Sequence, residues 1–249
     1  MDRQTIRNGL ERSGIPFLPE LPEKLEIYFR LLMEWNAKMD LVAEAPEAEL
    51  LDRHFTDSLT VLKTDLLAGA ETLIDVGTGA GFPGMALALA CPGLRVTLLD
   101  SQQKRLNFLA AVAAETGAEK VTLVHARAED GARKPEMREA FDRAAARAVA
   151  PLNVLCEYLL PYVRTGGRML AWKGPSLREE MDAGRRAAHL LGGRLEEPVA
   201  LPVPGRDWEH VILPALKVAG TPRTYPRKAG TPKEKPLGEK NSPEGGKTP

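Results

Sequence analysis

A chain of 249 residues with 43% hydrophobic and 27% charged content is long enough to bury one substantial core, which excludes disorder throughout. Formal charge is zero overall, yet residues 217–249 carry eight Lys/Arg against three Glu, net +5, on a body of net −5; a polyanionic partner or a solvated terminus accounts for that equally well. Two cysteines without C-x-x-C spacing indicate neither a disulfide framework nor a zinc site, and with no apolar leader and no run of roughly 20 apolar residues the chain is expected in the cytoplasm, off the membrane.

Residues 1–68 read as a helical preface. Leu25, Tyr28, Phe29, Leu32 and Trp35 recur at the i, i+3, i+4, i+7 spacing of an amphipathic helix. Leu50, Leu51, His54, Asp57, Ser58 and Leu62 continue a second helical stretch. Both faces are expected to pack on the edge of a sheet, with the aromatic stripe as core rather than as a base-stacking surface. His54 and Asp57 are expected to hydrogen-bond each other and lock the preface.

From 69 to 218 strand and helix signals alternate. Strands are predicted at 72–77, 95–100, 121–125, 141–147 and 167–172, with helices at 83–91, 102–117, 151–161 and 176–191. This alternation implies right-handed parallel crossovers. The pair 194–203 and 208–217 is separated by Pro204-Gly205-Arg206-Asp207, and so short a turn makes it an antiparallel hairpin. The expected fold is α/β: a Rossmann-like, mostly parallel sheet with one antiparallel strand, preceded by helices. Residues 219–249 lose their apolar content and are expected to form a flexible basic tail.

The run from Leu73 to Gly84, LIDVGTGAGFPG, carries the chemistry. An apolar strand that breaks into glycines and reopens as a helix lets a nucleotide-like ligand approach the backbone, because no Cβ stands in the way. Pro83 suits the first turn of that helix, where its missing N–H costs nothing. Asp100, at the end of the next strand, can accept from a ribose diol. The glycines at 77, 79, 81 and 84 satisfy G-x-G-x-G and, from 79 onward, the dinucleotide pattern G-x-G-x-x-G. Asp75 tips the balance, since a carboxylate there repels a pyrophosphate and attracts an ammonium or sulfonium. S-adenosylmethionine carries both cations.

With Trp35-Asn36, Arg53-His54-Phe55-Thr56-Asp57-Ser58-Leu59, the glycine run, Leu98-Leu99-Asp100-Ser101, Arg147, Lys173-Gly174 and Tyr225 to Pro232, the chain resembles the small-subunit ribosomal RNA methyltransferase G family, also called the glucose-inhibited division protein B family. Met39-Asp40-Leu41-Val42 departs from the Asn-Leu-Thr usual in similar proteins. The resemblance implies a seven-stranded methyltransferase fold and methylation of N7 of a guanosine in small-subunit (16S) ribosomal RNA, near the decoding region. It implies S-adenosylmethionine held by Gly77 and Phe82, by Asp100, Ser101 and Gln102, by Ala128 and Glu129, and by Arg147, to which the reading of the glycine run adds Asp75, Gly79 and Gly81. The partner it implies is that RNA or the small ribosomal subunit, with no obligate protein partner evident.

Guanine N7 presents a lone pair and no proton, so no general base is expected and rate enhancement falls to alignment. Lys173 and Arg147 are the candidates to donate to guanine O6 and position the base. A buried Arg147 also needs an acidic partner or the donor itself. Arg223, Arg227, Lys228, Lys233 and Lys235 are expected to contact RNA phosphates. Two rivals stay open: an NAD-dependent oxidoreductase, favoured by the overlapping glycine pattern, and a non-catalytic RNA-binding assembly factor.

Overall fold

A computed structural model of the chain describes residues 1–239. Helices α1 (Arg3–Arg12) and α2 (Leu21–Asn36) lead into α3 (Glu47–Leu50), a π-helical stretch Leu51–Thr56, α4 (Asp57–Leu59) and a 3-10 turn Thr60–Lys63. Asp2 caps α1 by accepting from the Thr5 N–H at 2.8 Å. The parallel core follows as β1 (Thr72–Val76), α5 (Gly84–Ala90), β2 (Arg95–Asp100), α6 (Gln103–Thr116), β3 (Val121–His125), α7 (Ala128–Gly131), β4 (Phe141–Arg147), α8 (Leu152–Leu159) and β5 (Val163–Lys173). Next come α9 (Leu177–Leu190), β6 (Gly193–Leu195), β7 (Val199–Ala200), β8 (Val211–Lys217) and α10 (Thr231–Glu234).

The strands lie in the order β3-β2-β1-β4-β5-β8-β6, with β7 also on β8. All pairings through β5 are parallel, and β8 runs antiparallel to β5, β6 and β7. The order reverses between β1 and β4, which makes their carboxyl ends the topological switch point where open α/β sheets bind ligands.

The strand predicted at 194–203 is two short strands instead, interrupted over 196–198, so the sheet has eight strands. Pro214, in the middle of β8, has no N–H to donate. Its carbonyl accepts from the Glu196 N–H at 2.9 Å, which puts the missing donor on the side where the ladder breaks. The hairpin ladder closes at Ala200 and Val211, leaving 201–210 as a loop wider than the expected four-residue turn.

Side-chain alternation divides the core into two layers. Leu73, Val96, Leu98 and Leu170 face the preface, α5 and α6, whereas Ile74, Leu99, Ala144 and Met169 face α8 and α9. The preface therefore packs on the helix layer, against α5 and α6, rather than on the sheet edge. Tyr28 and Phe29 are core as expected, and Trp35 is partly buried against Phe108.

The basic tail, expected to be flexible from 219 to 249, is held down over its described part, 219–239. Arg227 makes a bidentate pair with the fully buried Glu157. Arg133 donates to the Pro226 carbonyl, and Arg138 to those of Thr221 and Tyr225. Asn153 and Arg186 donate to the carbonyls of Leu237 and Gly238. Low apolar content misled here because body arginines and a buried carboxylate, together with Leu237 and Tyr225 packed on the core, fix the segment. Residues 240–249 of the expected tail lie outside the described residues.

Candidate functional site

Two cavities open at the carboxyl ends of the parallel strands, on either side of the turn 148–150. One, of about 300 Å³, is lined by Gly77, Ser101, Ala128, Glu129, Val149, Tyr158, Gly230 and Lys233 among others. The other, of about 390 Å³, is lined by Arg53, His54, Asp57, Arg147, Trp172, Lys173 and His210 among others. The structure thus brings together four residues expected at the methyl donor, and separately the two expected to position a base.

Gly77, Gly79 and Gly81 have φ of 72°, 59° and 94°, the left-handed region that other residues enter at a cost. Their open sides differ. A Cβ on Gly79 would meet nothing nearer than the Gly77 carbonyl oxygen at 4.0 Å, and one on Gly77 would meet Val149 Cγ2 at 3.1 Å. A Cβ on Gly81 would strike Leu109 at 2.6 Å and the Tyr28 hydroxyl, and on Gly84 the Asp75 Cβ at 2.6 Å. Gly81, expected at the ligand, therefore faces the interior. The dinucleotide pattern loses its basis with it, because Gly81 is the pattern's second glycine, the one that must let the backbone approach a pyrophosphate, whereas Gly84 packs helix against strand in either reading.

Asp75 is also turned inward. It is fully buried, and its Oδ2 accepts from Thr78 Oγ1 at 2.6 Å and from the Gly84 N–H at 2.9 Å. It braces the glycine turn onto the start of α5 instead of meeting a cation at the surface. Oδ1 has no hydrogen-bond partner among the described residues, and burial pushes the carboxyl up to about 6. Asp100 is 2% exposed and holds the turn from the other side: Oδ2 accepts from the Gly79 N–H at 2.9 Å and Oδ1 from the Gln102 N–H at 2.8 Å. Gln102 and Ser101 are exposed beyond it.

Phe82, also expected at the ligand, is 5% exposed within an aromatic stack. Tyr28 lies parallel to it at 5.2 Å and His54 at 5.2 Å, with the Arg147 guanidinium 5.2 Å from its centroid. Tyr28 donates to the Ala80 carbonyl, which ties α2 to the glycine turn. Glu129 accepts from the Gly230 N–H at 2.8 Å, so the C-terminal segment forms one wall of the smaller cavity.

Arg147 finds its acidic partner in the preface. Its Nη1 donates to Asp57 Oδ2 at 3.1 Å and to the Arg53 carbonyl at 2.8 Å, and its Nη2 meets His54 Nδ1 at 2.9 Å. His54 and Asp57 are joined through Arg147, not to each other as expected. The second Asp57 oxygen takes His210 Nδ1 at 3.0 Å. Lys173, expected to reach a base, is paired with Glu180 at 2.6 Å and donates to the Ala150 carbonyl. Of the cations expected to meet RNA, Arg227 is turned inward and Lys233 lines the smaller cavity, while Arg223, Lys228 and Lys235 are exposed. His210 and Trp172 join the site unannounced, since His210 lies 153 residues from the Asp57 it touches and no spacing links them.

The residues present fit S-adenosylmethionine. Gly77 lines the smaller cavity with Val149 against it, Gly79 faces open space on the same turn, two carboxylates fix the turn, and a further polar wall closes the cavity. A sheet of this order with one reversed strand, carrying such a turn at its switch point, defines the class: an S-adenosylmethionine-dependent methyltransferase. The family model described as rRNA small subunit methyltransferase G matches residues 21–203. The chain is 42% identical over 232 residues to the ribosomal RNA small subunit methyltransferase G of Clostridium perfringens, covering 93% of this chain and 97% of the relative. It is 43% identical over 235 residues to that of Alkaliphilus metalliredigens, covering 94% and 98%. In fold it is similar to the O-methyltransferase TomG of Streptomyces achromogenes in complex with SAM, with a TM-score of 0.55, 19% identity, and 88% and 100% coverage. A 16S rRNA (adenine(1408)-N(1))-methyltransferase from Catenulisporales acidiphilia gives a TM-score of 0.51 at 19% identity, covering 64% and 90%. This chain belongs to the rRNA small subunit methyltransferase G family.

Proposed function

We propose that the chain transfers a methyl group from S-adenosylmethionine to N7 of a guanosine in small-subunit (16S) ribosomal RNA near the decoding region, acting in the cytoplasm on that RNA or on the small subunit. One observation carries the reading: two cavities share the turn 148–150 at the switch point, one walled by the glycine turn and the other by a polar set suited to a base. Gly77, Gly79, Asp100, Ser101, Ala128 and Glu129 are the residues that would hold the donor. Bound there, S-adenosylmethionine supplies an electrophilic methyl group.

The chain's own contribution is alignment. Arg147 and Asp57, with Phe82 stacked behind Arg147, fix one wall of the larger cavity, so a base entering it meets a rigid frame. Burial and the charges of Arg147 and Arg53 push His54 down to about 3, so its ring stays neutral near pH 7. Its Nδ1 lone pair is already committed to Arg147. N7, which carries no proton, needs none removed.

The test is methylation by the purified chain of small subunits from a strain lacking this activity, with the modified atom mapped, beside calorimetry with S-adenosylmethionine and NAD. Tight binding of the first ligand only and a label at guanine N7 are expected. A label on another atom, or binding of NAD instead, overturns the reading.

A further inference from the structure

The larger cavity holds two imidazoles whose protons are placed by different partners. A guanidinium only donates, so His54 Nδ1, 2.9 Å from Arg147 Nη2, is an acceptor and the ring carries its hydrogen on Nε2. His210 is the reverse. Its Nδ1 lies 3.0 Å from Asp57 Oδ1, and a carboxylate accepts, so the neutral His210 ring carries its hydrogen on Nδ1 and a lone pair on Nε2. Neither Nε2 has a hydrogen-bond partner among the described residues, and both rings line the cavity. Arg147 and Asp57 are themselves paired at 3.1 Å, so one ion pair fixes both tautomers.

We propose that His54 and His210 form a guanine-reading pair, His54 Nε2–H donating to O6 and His210 Nε2 accepting from N1–H. The inference rests on the larger cavity receiving the target base. Guanine presents an acceptor at O6 beside a donor at N1. Adenine presents the opposite pair, an amino donor at position 6 and an acceptor at N1. Adenine would leave two donors facing each other and two lone pairs facing each other, and a site built on hydrogen bonds rejects such a mismatch strongly. The positioning role expected of Lys173 passes to His54, because Lys173 is held by Glu180 and the Ala150 carbonyl.

Nitrogen-15 spectra of the imidazoles in the full chain, which has four histidines, test the first half. His54 with its hydrogen on Nε2, and the neutral His210 ring with its hydrogen on Nδ1, are expected; either hydrogen on the other nitrogen overturns the proposal. The second half uses reconstituted small subunits carrying guanosine, inosine or 2-aminopurine riboside at the mapped target, in single-turnover methylation. Inosine keeps O6 and N1–H and should react within about threefold of guanosine, whereas 2-aminopurine lacks both and should lose on the order of 10²-fold or more. In His54→Ala the guanosine rate should fall toward the 2-aminopurine rate while S-adenosylmethionine affinity, read by calorimetry, stays within about twofold. If His54→Ala or His210→Ala keeps the full preference for guanosine over 2-aminopurine, the pair does not read the base. If the unsubstituted chain places no methyl on guanosine, the proposed function falls first and this inference with it.

Discussion

At the scale of single residues, the glycine turn shows why residues of one type in one motif do different work. Gly79 leaves open space beside the turn and Gly77 lets Val149 close over the smaller cavity, whereas Gly81 and Gly84 let Tyr28 and Asp75 pack close. Gly84→Ala should therefore cost about 3 kcal/mol, the cost of overpacking a filled site, measured by denaturant unfolding. Asp75 carries a pH signature. Its carboxyl, raised to about 6 by burial, binds a proton in the folded chain over a range where the unfolded chain has already released it. Its contribution to stability is thus full below about pH 4 and is lost as pH rises through about 6. Asp75→Asn should remove that decline, worth at most about 3 kcal/mol, and flatten the stability profile between pH 4 and 7. An unchanged slope would assign the decline to other groups.

At the scale of elements, the C-terminal segment is a strap rather than a free arm. Arg227 and the buried Glu157 pin it, and Glu129 holds Gly230 against the smaller cavity. Arg227→Ala strands Glu157 without its cation and should cost about 3 kcal/mol of stability, read as a lower Tm. It should also weaken S-adenosylmethionine binding at least fivefold, because one wall of the cavity loosens, with Arg227→Lys recovering part of the affinity. Unchanged donor affinity alongside a lowered Tm would make the strap purely structural. The strap was hidden in the sequence because its high Pro, Gly and Lys content signals mobility, and nothing local reveals that Glu157, 70 positions earlier, waits for Arg227.

At the scale of the whole molecule, the preface is part of both the core and the site. Tyr28, Phe55 and Phe82 pack ring to ring, with Tyr28 and Phe55 at 5.0 Å and Phe55 and Phe82 at 4.9 Å. His54 and Asp57 hold Arg147 from the preface side. Removing residues 1–68 would expose the larger core layer and unpair Arg147. The truncated chain should show no cooperative thermal transition by circular dichroism, whereas a sharp transition near that of the full chain would make the preface an independent appendage.

The alternation of apolar strands and amphipathic helices, the reversed hairpin and the glycine turn with its flanking carboxylates were legible along the chain, because each rests on periodicity or on local backbone requirements. The break between β6 and β7 needed the position of Pro214 opposite it. The roles of Arg147, Lys173 and Arg227 needed their partners, Asp57, Glu180 and Glu157, which lie 7 to 90 positions away. Local sequence sets backbone shape, since dihedral preferences and side-chain period act over a few residues. Which charge meets which across the folded chain is decided only by tertiary packing, where desolvation forces every buried ion to find a partner.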